Sequence, residues 1–329
     1  MNNTLLFVIL LLLIPFLVFC NLMTGSVEMG SELWKTVVMT IRLPQTLTAM
    51  SCGAGLSVAG LLMQTIFRNP LAGPSVLGVS SAASLGVAFV LLLSGAIGGT
   101  SLSHFGVIGN SAIILAAIAG SLCVMIVIVW LSRIVAGNAT LLISGVMIGY
   151  IASAIIGVLK AYANEEDIHA YVIWGLGSFS RVSGGQVGVF VCLIAILLPL
   201  TMLLAKPLNM MLMGDLYALN LGLNVKLHRM WIIAAAGILT AVVTAYCGPI
   251  MFLGLAVPHI ARGIFRTSDH RILLPATLIC GAELSLLCNL ISKMPGANGV
   301  LPINSVTALI GAPIALYVLL KRKSGGHYI

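Results

Sequence analysis

Charges never gather along this chain for long enough to form a hydrophilic layer; instead they punctuate a series of long uncharged stretches. A bilayer's hydrocarbon core takes roughly 20 apolar residues per helix. The gaps between charges accommodate about ten such spans: Leu5 to Leu22, Thr46 to Ile66, Ser75 to Leu93, Gly106 to Leu131, Thr140 to Leu159, Val187 to Leu204, Trp231 to Tyr246, Phe252 to Ile264, Ile272 to Ile291 and Ser305 to Leu320. Hydrophobic residues are 60% of the chain and charged ones 7%, which excludes the soluble globular class. The expected architecture is an all-α integral membrane protein. No hydrophilic block is long enough to fold separately, so residues 1–329 read as one domain.

Basic residues concentrate in cytoplasmic loops. With the N-terminus inside, Arg68, Arg133, Lys206, Lys226, Arg229, Arg262, Arg266, Arg271, Lys321, Arg322 and Lys323 lie inside. Lys35, Arg42, Lys160, Arg181 and Lys293 lie outside. Both termini are therefore expected to be cytoplasmic, and the net charge of +8 is a topology signal. No basic patch interleaved with aromatics points to nucleic acid.

The first span is expected to remain as an anchor, because Met1 to Thr4 has no Lys or Arg and no small-x-small cleavage site follows. Seven cysteines sit in or beside apolar segments without C-x-x-C spacing and read as small buried hydrophobes, with no metal framework and no cofactor.

Lys206 to Arg229 is the longest part of the second half that cannot sit in lipid. Asp215 is placed to cap a short helix through Leu221, Gly222 to end it in the left-handed conformation, and Asn224 to cap a second short helix. Leu216, Leu219, Leu221 and Leu223 would then form an apolar knob with a charged rim, suited to being gripped by another protein. An ordinary surface loop is the other reading.

Small residues recur at four-residue spacing: Ser51, Gly55 and Ala59 in the second span, Gly78, Ala82 and Gly86 in the third, and Gly145, Gly149, Ser153 and Gly157 in the fifth. Such stripes mean tight helix packing or a helix that lines a path. The outer loop with Glu165, Glu166, Asp167 and His169 reads either as a hard-metal site or as acids favoured at a helix N-terminus. Ser183 to Gln186 spells S-G-G-Q, found in the signature of ATP-binding-cassette (ABC) ATPases, but the chain has no phosphate-binding loop and the tetrapeptide falls on the outer side. Gly248, Pro249 and Pro258 are expected to break helices. Glu283 is the one acid inside a span: a functional group, or a bonded or protonated structural one.

R-L-P-Q-T-L-T-A at Arg42 to Ala49, F-R-N-P-L-A-G-P-S-V-L-G-V-S at Phe67 to Ser80 and L-L-I-S-G-V at Leu141 to Val146 resemble the FecCD-type permeases. So do G-P-I-M-F-L-G-L-A-V-P-H-I-A-R at Gly248 to Arg262, S-D-H-R at Ser268 to Arg271 and L-P-I-N-S-V-T-A-L-I-G-A-P at Leu301 to Pro313. That family comprises membrane subunits of ABC importers for ferric siderophores, haem and vitamin B12. The resemblance implies ten membrane helices, a second permease copy, two cytoplasmic ABC ATPase subunits, a periplasmic substrate-binding protein and a bacterial inner membrane.

It also implies that Asp215, Leu216, Leu219, Gly222, Leu223, Asn224 and His228 couple to the ATPases, that Arg42 and Lys293 dock the binding protein, and that Gly145, Gly149, Ser153 and Gly157 border the path. Gln45, Asn289 and Asn304 depart from the family's Arg, Asp and Gly, and Lys293 replaces an arginine. The function expected is ATP-driven import of a ferric siderophore by alternating access, with haem or cobalamin as alternative cargo. A secondary transporter carrying protons on Glu283 and His259 is the rival; an intramembrane enzyme lacks a second acid level with Glu283.

Overall fold

The computed structural model describes residues 3–25, 27, 31, 33–98, 106–135, 137–182, 184–294 and 299–323, and no strand occurs among them. In chain order the helices are α1 (Asn3–Met23), α2 (Trp34–Val37), α3 (Leu43–Phe67), α4 (Val79–Gly98), α5 (Gly106–Ile134), α6 (Asn138–Tyr162) and α7 (Glu165–Gly175). They continue with α8 (Gly185–Met202), α9 (Ala205–Leu212), α10 (Asp215–Asn220), α11 (Val225–Cys247), α12 (Leu253–Phe265), α13 (His270–Lys293) and α14 (Ile303–Lys323). A π turn at Val38–Arg42 joins α2 to α3. Each apolar segment expected from sequence coincides with a helix. Seven of the described helices are long and apolar enough to cross a membrane, and Val79–Leu93, Leu253–Phe265 and Ile303–Tyr317 are shorter apolar runs. Glu28, Glu32 and Ser183 lie outside the described residues, as do the side chains of Lys321, Arg322 and Lys323.

One helix is central. The apolar stretch containing α3 is 89% buried, against 17% for α1, and α3 is enclosed by α13, α11, α12 and α8. A helix apolar all round has no outward face to give up, so its neighbours surround it. The remaining packing extends from that centre: α4 lies against α5 and α6, α5 against α11, α1 against α13, and α14 against α12 and α13.

Bare backbone makes the tightest of these contacts. A Cβ on Gly53 would stand 2.1 Å from the carbonyl oxygen of Gly281, and one on Gly60 would stand 1.7 Å from that of Gly254. These are the positions at which α13 and α12 close on α3, whereas Gly55 of the expected stripe faces side chains and no backbone: a Cβ there would stand 3.2 Å from Val243 and 3.3 Å from Ile194, tight but without a clash. The third-span stripe is partly as expected: Gly86 packs against Ala116 and Gly120 of α5, while Gly78 lies in the left-handed turn before α4.

Gly248 ends α11, but Pro258 does not break α12, which runs through it. Proline withholds the hydrogen bond that Gly254's carbonyl would otherwise accept. That freed carbonyl lies directly against Gly60, where the missing side chain lets α3 cover it.

Adding a methyl group at these crossings must therefore push helices apart. Gly60→Ala and Gly53→Ala should each destabilise the detergent-purified protein by about 1–3 kcal/mol or more. Gly157→Ala, whose Cβ meets nothing within 4 Å, should melt like the parent. Thermal unfolding of the three variants side by side checks this, and equal melting would show that the crossings are looser than described.

Candidate functional site

At one end of the bundle the expected knob is present, on a different skeleton from the one read in the sequence. Helix α9 buries Pro207, Leu208 and Met211. Gly214, at φ 124°, then turns the chain into α10, whose Ala218 is fully buried while Leu216, Tyr217, Leu219 and Leu221 are exposed. Gly222, at φ 81°, ends α10 as expected: Leu223 N donates to Ala218 O (3.0 Å) and Gly222 N to Leu219 O (2.9 Å). This paired closure is the Schellman motif. Asn224 caps as expected too, its Oδ1 accepting from Leu227 N at 3.1 Å, and His228 Nδ1 donates to Asn224 O at 2.9 Å.

Two details of the expectation are corrected. The segment after Asn224 is no second short helix but the first turn of the 23-residue α11. Asp215 caps nothing, because Gly214 holds the cap position. Its carboxylate instead accepts from Arg68 Nη2 at 2.5 Å and from Arg229 Nη2 at 2.6 Å.

A second attachment secures the base of the knob. Asn209 on α9 accepts at Oδ1 from His270 N (2.8 Å) and His270 Nδ1 (2.7 Å), and donates to Asp269 Oδ1 (2.6 Å). Thr65 Oγ1 on α3 meets the ring's other nitrogen at 2.8 Å. Asp269 caps α13 by accepting from Arg271 N at 2.9 Å, and this bond, with the one from Asn209, holds its carboxyl below the ordinary value.

The opposite end departs from the picture of exposed docking cations. Arg42 is only 4% exposed, and its guanidinium donates to the carbonyls of Leu22 (2.8 Å), Met23 (3.1 Å) and Val27 (2.9 Å). Lys293 is half-buried and donates to Asn21 O at 3.3 Å. Both cations thus neutralise carbonyls at and beyond the C-terminus of α1, where a helix leaves acceptors unpaired.

The fifth-span stripe divides. Gly145 packs beneath the turn at Pro74–Leu77 and Gly149 lies beside Ser81, whereas Ser153 and Gly157 are exposed. Around the latter two, Tyr150, Ile151, Val158 and Tyr162 present an uncovered apolar surface. Near the inner part of the stripe a cavity of about 200 Å³ lies between Pro74, Ser80, Thr240 and Phe252.

Glu165, Glu166 and Asp167 form the first turn of α7, in keeping with the helix-dipole reading. Among the described residues no group of three or more His, Cys, Asp or Glu could hold a metal ion. His259 Nε2 is bonded to Pro70 O at 2.8 Å and braces the loop after α3, while Arg262 donates to Gln64 Oε1 at 2.6 Å and fastens α12 to α3 itself. Glu283 Oε1 is buried and has no hydrogen-bond partner among the described residues.

Comparison with known proteins adds the decisive observation: the model of the FecCD transport family matches residues 4–321. This chain belongs to that family. Among its relatives, the vitamin B12 import system permease protein BtuC of Escherichia coli O6:H1 is 36% identical over 284 residues, 86% of this chain and 83% of the relative. The protein of that name from Shigella boydii serotype 18 is 35% identical, covering 87% and 84%. A solved transporter assigned to the metal-chelate ABC type, in an inward-facing conformation, superposes with a TM-score of 0.83 at 27% identity, covering 98% of this chain and 100% of that one. PsaBC from Streptococcus pneumoniae, solved in complex with Fab, shares the fold at a TM-score of 0.51 and 16% identity, covering 84% and 89%. The chain is accordingly a multi-pass membrane transport component and not an enzyme.

Within a FecCD chain the departures at Gln45 and Asn289 explain each other. Gln45 Nε2 donates to Asn289 Oδ1 at 3.1 Å, Asn289 Nδ2 donates to Asn21 Oδ1 at 2.8 Å, and Asn21 Nδ2 reaches Leu17 O (2.9 Å) and Leu286 O (3.1 Å). Asn21 and Asn289 are 0% and 1% exposed. The resemblance implied arginine and aspartate where this neutral amide pair stands. Asn304 also has a task that glycine could not perform, its Oδ1 accepting from Met251 N at 3.1 Å. Asn289→Asp alone puts an uncompensated charge in the relay and should cost about 3–5 kcal/mol. Gln45→Arg with Asn289→Asp should recover most of that, as read by thermal melting in a double-mutant cycle; additive losses would show that the two sites are independent.

Proposed function

We propose that the chain is the membrane-spanning permease subunit of an ATP-driven importer, working as a pair of copies in a bacterial inner membrane. The observation that carries this reading is the knob: an exposed apolar helix, mounted through buried and charged contacts at one end of a multi-pass bundle, in a chain similar along most of its length to B12 import permeases. A surface of that kind covers itself by docking a partner, here a cytoplasmic ABC ATPase on each copy. Asp215, Leu216, Leu219, Gly222, Leu223, Asn224 and His228 form or shape it. In this reading the ten apolar helices all span the membrane as a single domain, and both termini are cytoplasmic.

The opposite end then receives a periplasmic binding protein. Arg42 and Lys293 serve that face by holding the turn beyond α1 in shape, since exposed ion pairs contribute only about 0–1 kcal/mol. Ser153 and Gly157, with the apolar surface around them, border the path, while Gly145 and Gly149 seat α6 against the turn before α4. Alternating access would move cargo between the copies.

Cobalamin is the better supported cargo, because relatives named for vitamin B12 import are 35–36% identical. A ferric siderophore or similar chelate is the second reading, favoured by the whole-chain likeness to a metal-chelate transporter. Haem remains within the family's range. Proton coupling through His259 has less support, since that ring is bonded to a loop carbonyl.

Purification from the native host in mild detergent should bring down an ABC ATPase with the tagged permease. Leu219→Asp combined with Gly222→Asp should abolish this while leaving membrane insertion intact; the second change also strains a left-handed position. Reconstituted vesicles should accumulate labelled cyanocobalamin in competition with unlabelled cobalamin but not with ferric siderophore. An ATPase that never co-purifies, or uptake that collapses with the proton gradient alone, would overturn the reading.

A further inference from the structure

Asp215 divides its carboxylate between two helices that are far apart in sequence. Oδ1 takes Arg68 Nη2, from the residue that ends α3, and Oδ2 takes Arg229 Nη2, from the first turns of α11. Arg68 also donates to Met211 O at 3.2 Å, so one guanidinium grips both sides of the turn at Met213 and Gly214. Arg68 itself adopts the left-handed conformation at φ 47°, which L residues other than glycine rarely take. Arg229 is largely buried, and its Nε has no hydrogen-bond partner among the described residues, so the bond from Nη2 to Asp215 carries much of the compensation for its charge.

The geometry of α10 separates gripping from anchoring. Asp215 and Ala218, three residues apart, lie on one face toward the protein, while Leu216 and Leu219 lie on the face that is exposed. A partner covering the leucines therefore leaves the Asp215 bonds in place.

We propose that the Arg68–Asp215–Arg229 clasp transmits movement of the knob into α3, making Arg68 and Arg229 positioning residues for transport. This rests on the knob being the ATPase contact. Displacement of α10 pulls directly on the C-terminal end of α3. Because α3 is buried all round and locked backbone to backbone against α13 at Gly53 and Gly281, it moves as part of that pair. The bonds from Asn209 to His270 at the base of α9 attach the same mount to the start of α13, so both members of the pair are held at one end.

The test uses the assembled transporter in vesicles, with labelled cyanocobalamin as the probe. Arg68→Gln should retain ATPase co-purification and ATP hydrolysis within about twofold, yet lower uptake by on the order of tenfold, and Asp215→Asn should lower uptake at least as far. The double variant should transport no worse than Asp215→Asn alone, because that change already weakens the bond that Arg68→Gln removes. Arg68→Lys, which keeps the charge, should recover part of the uptake. Unchanged uptake in Arg68→Gln, additive losses, or loss of the ATPase from Arg68→Gln would overturn the clasp. Failure of the underlying reading looks different: the unmodified chain itself would bring down no ATPase.

Discussion

The closeness of α3 to its neighbours sets the terms for the whole molecule. Helices in lipid gain little from merely hiding apolar side chains, since the lipid is equally apolar, so association depends on close packing and on polar contacts. Here α3 meets α13 through Gly53 and Gly281, and α12 through Gly60 and Gly254. That proximity lets a short polar side chain on one helix reach the next, as Gln64 does in bonding Leu255 O and accepting from Arg262. It also lets α12 carry a proline at mid-length, because α3 lies over the carbonyl the proline leaves free.

Polar groups then fix the two ends of this core by different means. At the knob end charges are used in opposition, with one carboxylate between two guanidinium groups. At the far end two cations have no carboxylate partner among the described residues and face carbonyls instead. Between the cations and the core lies a relay of three amides. Irregular backbone clusters near that far end: Ser178 N bonds Cys247 O (2.8 Å) and Asn304 N bonds Leu176 O (3.3 Å), tying the segment after α7 and the entry to α14 to the break between α11 and α12.

The segments that cross the bundle were legible because charge is nearly absent from them, and each falls on a helix. Turn chemistry was legible as well: Gly222 and Asn224 act locally, and their neighbours along the chain determine what they do. Asp215 was misread because its partners lie 147 and 14 residues away, and the nearer rule, that an aspartate beside a helix start caps it, was overridden by two arginines. The surroundings of Arg42 were illegible for a related reason, since its place in the sequence carries no sign of the carbonyls that enclose it. Spacing found the stripe containing Gly145 but not the crossing at Gly53, because a helix buried all round gives no periodic cue as to which face approaches most closely.

Replacing charge by amides at Gln45 and Asn289 has a consequence for constancy. Asparagine and glutamine do not titrate, and neutral hydrogen bonds are not screened by salt as exposed ion pairs are. Beside the Arg42 and Lys293 bonds, the far end thus has one fastening, the amide relay, whose strength does not follow the acidity or salinity of the fluid beside it. An arginine and an aspartate in those places would grip harder under one set of conditions; the amides hold about equally well in dilute, brackish or mildly acid surroundings, an insulation from weather built into the core of the bundle.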